Sequence, residues 1–122
     1  MMKDDLTIWH IHGPELPLDI EDADTVEKYE AALAQLEQNI PADKSGGTAA
    51  YIRAYCKAFR TLYDTLFGDG TAEQIFAGIS DNARQYTAVY GEFLTFVAKQ
   101  AAQAQEAQRQ LQKKYLPKGG RR

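Results

Sequence analysis

A chain of 122 residues with 44% apolar and 25% charged side chains has the composition of one ordinary globular domain, which excludes a disordered tail, a fibrous repeat and a disulfide scaffold. Its single cysteine, Cys56, cannot form an internal bridge and fits a reducing compartment. The net charge of −3 hides a gradient. Residues 1–43 hold eleven Asp/Glu against two Lys, residues 44–98 five of each sign, and residues 99–122 seven Lys/Arg against one Glu, so the balance runs −9, 0, +6. An acidic head and a basic tail favour contacts between copies or with two different partners. The first six residues carry three charges and no apolar run follows them, so no secretory signal is expected. No uncharged run approaches a bilayer span either. These features predict a cytoplasmic protein.

The chain opens with Leu6-Thr-Ile-Trp-His-Ile-His12, which alternates apolar and polar residues around Leu6, Ile8 and, less cleanly, Trp9 and Ile11. Gly13-Pro14 signals a turn, and Leu16, Leu18 and Ile20 then alternate with Pro17 and Asp19. This predicts a β-hairpin. Pro17 lacks a donor and belongs on an edge, and two strands need helices or another chain to pack on.

Asp24-Thr-Val-Glu27 fits a capping box, and Val26, Tyr29, Leu33, Leu36 and Ile40 follow at spacings of 3, 4, 3 and 4. That predicts a first helix ended by Pro41. After the loop Lys44-Ser-Gly-Gly47, Thr48 is placed to cap a second helix. Its broad apolar face holds Ile52, Tyr55, Cys56, Phe59, Leu62, Tyr63, Leu66 and Phe67, and Gly68 stops it. Thr71 opens a short third helix that turns Ile75 and Phe76 inward. A fourth begins near Asp81, its apolar face made of Tyr86, Val89, Tyr90, Phe93, Phe96 and Val97.

Past Lys99 the same helix becomes rich in Ala and Gln, with high propensity and little to bury. Heptad spacing leaves one thin seam through Val97, Ala101, Ala104, Gln108, Leu111 and Tyr115. A polar helix of this kind is marginal alone but can extend from a packed one, which predicts a projecting arm for docking or self-association. The expected architecture is therefore mainly α (α+β), an N-terminal hairpin on a bundle of three to four helices with a long C-terminal helix. Residues 1–98 form the compact part, residues 99–116 the arm, and residues 117–122 a flexible basic tail.

No motif for chemistry survives its structural requirements. His10 and His12 share one strand face, but a zinc site needs three or four ligands, the single cysteine lies 44 residues beyond His12, and the sequence has no third histidine. Asp22-Ala-Asp24 resembles the start of a phosphotransfer site, yet that nucleophile needs a buried parallel strand, and helix capping accounts for both aspartates. Gly68-Asp-Gly-Thr71 lacks the lysine of a phosphate loop, whereas a helix C-cap followed by an N-cap uses all four residues. Cys56, between Tyr55 and Phe59, reads as a small core residue. The sequence predicts no catalytic residue, no cofactor and no metal. Lys113, Lys114, Lys118, Arg121 and Arg122 suit phosphate contacts, but the acidic remainder opposes them.

Several stretches together resemble a known family: the hairpin, Leu18-Asp-Ile-Glu-Asp-Ala-Asp-Thr-Val-Glu-Lys-Tyr-Glu30, Tyr63-Asp-Thr-Leu-Phe-Gly-Asp-Gly-Thr-Ala72, Gln74-Ile-Phe76, and the long helix with a basic end. The chain is similar to small proteins encoded in the tail-gene region of siphophages and prophages of Gram-positive bacteria, and to tail assembly chaperones in size and position. The resemblance covers most of residues 6–116. It implies a non-catalytic protein of the bacterial host cytoplasm that keeps a tape measure protein, a very long helix, soluble during tail assembly. The Ala/Gln helix is longer here than the family leads one to expect. Homo-oligomers are expected as well. A structural component kept in the virion, and a small regulator touching nucleic acid through its basic end, are the alternatives. The residues expected at the partner surface are Leu111, Lys113, Lys114 and Tyr115 on the arm, and Trp9 on a hairpin too small to cover it.

Overall fold

The computed structural model describes residues 6–115; the expected basic tail, 117–122, lies outside them. Two strands, β1 (Ile8–His10) and β2 (Glu15–Pro17), precede four helices: α1 (Ala23–Asn39), α2 (Thr48–Phe67), α3 (Thr71–Ile75) and α4 (Ala83–Tyr115). The mainly helical architecture with an N-terminal hairpin and a long last helix is the one the sequence predicts.

The hairpin closes through His12 and Gly13, both at positive φ (49° and 107°), as a two-residue loop matched to the strand twist requires. His12, a residue that pays a steric penalty there, is held by a 2.7 Å hydrogen bond between its Nδ1 and the carbonyl oxygen of Ile75. Trp9 pairs with Leu16, and Ile8 with Pro17. The flanking bonds, Leu18 N to Thr7 O and Ile11 N to Pro14 O, show that odd-numbered residues of β1 make the ladder bonds. Pro17 therefore sits at a position whose missing donor points outward, and the ladder loses nothing. The inward phase belongs to Trp9, Ile11, Leu16 and Leu18, all buried. Leu6 and Ile8, the cleaner apolar members of the alternation, are only half-buried. The shared histidine face also fails, because β1 ends at His10 and His12 belongs to the turn.

Helix boundaries differ by small, explicable steps. Asp22, not Asp24, is the N-cap of α1, and its Oδ2 accepts from Thr25 N at 3.0 Å and Thr25 Oγ1 at 2.9 Å. Asp24 falls in the first turn, where a carboxylate favours the helix dipole. Gly47 rather than Thr48 caps α2. Gly68 ends α2 and Gly70 caps α3, both at positive φ, as the cap-to-cap reading of that turn anticipates. Asp64 Oδ1 accepts from Ala72 N at 2.8 Å and fixes α3 to the end of α2. Arg60 reaches Asp81 at 2.8 Å and the Tyr86 hydroxyl at 2.9 Å, while Tyr86 stacks on Phe76 with centroids 3.8 Å apart. These contacts set where α4 begins.

The core gathers around Phe93, which is fully buried. Trp9, Tyr63, Phe67 and Phe96 surround it, with the Trp9 ring 5.2 Å from Phe93 and 5.7 Å from Tyr63. Trp9 is thus a core residue at 5% exposure, and the expectation that the hairpin leaves it uncovered is corrected. The strand face is narrow, but α2 and α4 supply a floor of rings broad enough to cover an indole.

The Tyr63 hydroxyl is buried and finds no hydrogen-bond partner among the described residues. Burial pushes its pKa well above the ordinary tyrosine value, and burial also raises those of Tyr29, Tyr86 and Tyr90. An acid whose folded pKa is raised contributes stability below its unfolded pKa, about 10, and loses it as pH climbs above that value. Tyr63→Phe is therefore expected to gain about 1 kcal/mol at neutral pH by removing an unpaired polar group, and to flatten the loss of stability above about pH 10. Urea unfolding at neutral and alkaline pH measures both; an unchanged alkaline slope would refute the assignment to Tyr63.

Candidate functional site

α4 is 33 residues long, about 50 Å at the helical rise, and its two ends live in different surroundings. Tyr86, Val89, Phe93, Phe96 and Gln100 are buried in the body. Gln100 is the last of them. Its Nε2 donates to the carbonyl of Leu18 at 2.7 Å, and its Oε1 accepts from the amide of Ile20 at 3.1 Å. One side chain so holds two main-chain groups of the segment that runs from β2 to α1. Ala104, a turn later, is half-buried, and from Gln105 to Lys114 every residue is exposed. Packing against the hairpin thus continues past residue 98, and the bare segment begins at Gln105.

Of the residues expected at a partner surface, Leu111 is 54% exposed, the most open large apolar side chain among the described residues. With Ala107, Gln110, Lys113 and Lys114 it outlines a shallow patch on one side of the arm. Lys113 and Lys114 occupy the last turn, where cations favour the negative end of the helix dipole. The Tyr115 side chain lies outside the described residues. Trp9 is far from this group in role: its ring fills the core, and only its rim contributes to a surface groove.

That groove, of about 610 Å³, runs between β1 and α4. Leu6, Ile8, Trp9 and His10 line one wall, and Ala88, Gly91, Glu92, Thr95, Phe96 and Lys99 line the other. The register turns the main-chain groups of Ile8 and His10 away from β2, toward the outer edge of the strand. The signal in the sequence was Gly91, a glycine in the middle of an otherwise apolar helical pattern, which sequence reasoning passed over.

The potential chemical groups are placed as follows. Cys56 is fully buried; burial pushes its thiol up, Asp81 adds to the rise and Arg60 opposes it, so thiolate formation is disfavoured. His10 lies 3.7 Å from Glu15 across the exposed hairpin face. Among the described residues no group of three His, Cys, Asp or Glu side chains comes together as a metal site, and no helix is long and apolar enough to cross a membrane.

The fold thus defines a small hairpin-and-helix body whose last helix runs on beyond its own core. A family model described as a family of unknown function, DUF6673, matches residues 12–122, and the chain belongs to that family. No curated protein and no solved structure matches it.

The division of α4 has a measurable consequence. Gln100→Ala removes the side-chain partner of the Leu18 carbonyl and the Ile20 amide and is expected to cost about 1–3 kcal/mol, with faster amide exchange at Ile20. Leu111→Ala is expected to stay within about 0.5 kcal/mol of the parent. Denaturant unfolding compares them, and an equal loss in both would place the arm inside the cooperative core.

Proposed function

We propose that the protein is a non-catalytic binding protein of phage tail morphogenesis, acting in the bacterial host cytoplasm as an assembly chaperone for the tape measure protein. The observation that supports this reading best is the run from Gln105 to Lys114, ten residues of continuous helix that bury nothing. A helix of that length and polarity is unstable in isolation; here it is propagated from the packed part of α4 and presented ready-formed. A client that is itself a long helix offers such an arm a partner along its whole length, with side-by-side packing of helices as the mode of contact. Leu111 would supply the apolar contact, and Lys113 and Lys114 would steer the arm toward acidic stretches of the client. The likeness of residues 18–30 and 63–76 to tail-region proteins supports the same assignment.

Co-expression with a tape measure protein, followed by affinity purification at low and high salt, tests the proposal. Stoichiometric co-purification is expected, weakened by salt and lost in a Leu111→Glu/Lys113→Glu/Lys114→Glu variant. A client that stays insoluble with no associated protein would overturn the chaperone reading. Detection of the protein in purified virions would instead favour a structural component, and steeply salt-dependent binding to duplex DNA would favour a regulator.

A further inference from the structure

β1 has two edges, and β2 pairs with only one of them. That pairing uses main-chain groups of the odd-numbered residues Thr7, Trp9 and Ile11, so the amide and carbonyl of Ile8 and of His10 point the other way. Ile8 and His10, with Leu6 and the rim of Trp9, are the strand residues that line the groove against α4. The His10 ring leaves this edge clear, because it leans across the hairpin toward Glu15 at 3.7 Å. On the opposite wall α4 gives way. A Cβ placed on Gly91 meets nothing within 4 Å, and the Thr95 hydroxyl is turned onto the Gly91 carbonyl at 3.0 Å. A strand occupies about 4.8 Å along the ladder and about 10 Å between layers. The groove, about 610 Å³, is therefore the size of a single strand of about four residues.

We propose that this groove receives an extended peptide segment of another protein, added antiparallel to β1 as a third strand. Strand addition of this kind draws its affinity from main-chain bonds, and Ile8 and His10 offer four. The peptide residue opposite Trp9 turns its side chain to the same face as the indole, onto the Trp9 rim and Phe96, where an aliphatic group fits in front of Gly91. Charge sets the two ends. Gln100 holds Leu18, whose amide bonds Thr7, and the Trp9 ring meets Phe93, so β1 runs opposite to α4. Lys99 therefore stands toward the Leu6 end of the groove and Glu92 toward the His10 end. Both are exposed, and neither forms an ion pair among the described residues. They lie about 10 Å apart along α4, close to the roughly 13 Å between peptide residues two places before and two places after the aliphatic one. An antiparallel segment that reads basic, any, aliphatic, any, acidic from its N-terminus matches both charges. A second copy cannot supply this strand: its β1 has its own α4 along the free edge, and the outer edge of its β2 lacks the Pro17 donor. The groove is separate from the arm beyond Gln105, and the proposal does not depend on the chaperone reading.

The test titrates the full chain with the peptide acetyl-Lys-Thr-Leu-Thr-Glu-amide, read by the fluorescence of Trp9, the single tryptophan, and by amide exchange. A saturable change is expected, with exchange slowed at the amides of Ile8 and His10. The charge-reversed peptide, with Glu first and Lys last, is expected to bind roughly tenfold more weakly, and a Glu92→Lys/Lys99→Glu variant to invert that preference. Methylating the amide nitrogen of the first Thr, which donates to the His10 carbonyl, is expected to cost about tenfold. Gly91→Leu fills the groove while favouring the helix; it is expected to abolish binding with helix content retained by circular dichroism. No saturable change with the first peptide, an N-methylated peptide that binds as well as its parent, or undiminished binding by Gly91→Leu would each overturn the proposal. So would a dimer of the free chain that the peptide dissociates, since a second copy would then hold the groove.

Discussion

Everything in this fold hangs on the burial of Trp9 against Phe93. A two-stranded hairpin has too little surface to hold itself together in water, and its ladder supplies only a few main-chain bonds. What keeps it in place is an indole sunk among Phe93, Tyr63, Phe67 and Phe96, a contact that α2 and α4 have to be aligned to receive. Burial of that one ring ties the hairpin to a helix that begins more than seventy residues later. The polar contacts then follow from the alignment. His12 can reach the Ile75 carbonyl, and Gln100 can bracket Leu18 and Ile20, only because the hairpin already lies flat on α4.

The same constraint defines where α4 stops being part of the body. Gln100 is both the last buried residue of the helix and the last to bind the hairpin. From Gln105 on every described residue of α4 is exposed, and the composition has already changed to alanine and glutamine. Helix propensity alone then carries the chain onward, since extension from an existing helix avoids the cost of nucleation. The arm is thus a structural by-product of a packed helix, and its surface is free to be specified by something other than the core.

How legible was this in the sequence? The periodic helices were plain, because Phe59, Leu62, Tyr63 and Leu66, or Tyr86, Val89, Phe93 and Phe96, repeat at intervals that only one helical face can satisfy. The Gly68-to-Thr71 junction was legible too, since a C-cap and an N-cap demand small residues in that order. The phase of β1 was not. Leu6, Ile8, Trp9 and Ile11 are all apolar, and a strand of three residues offers no periodicity to choose between its faces. Tertiary contact made the choice, and with it moved Trp9 from surface candidate to core. The cap of α1 was misplaced by two residues because Asp22 and Asp24 are chemically equivalent; only the backbone turn decides which one is extended. Gln100 was invisible for a different reason: one polar residue within a glutamine-rich run carries no mark that its two partners lie some eighty residues earlier.

Leu111 follows the line of Phe93, Gln100 and Ala104 along α4, so the apolar line that builds the body continues into the arm after the elements that cover it have ended. The exposure of Leu111 is therefore a consequence of where the hairpin stops, and it leaves one large apolar side chain beside Lys113 and Lys114 at the end of a ready-formed helix.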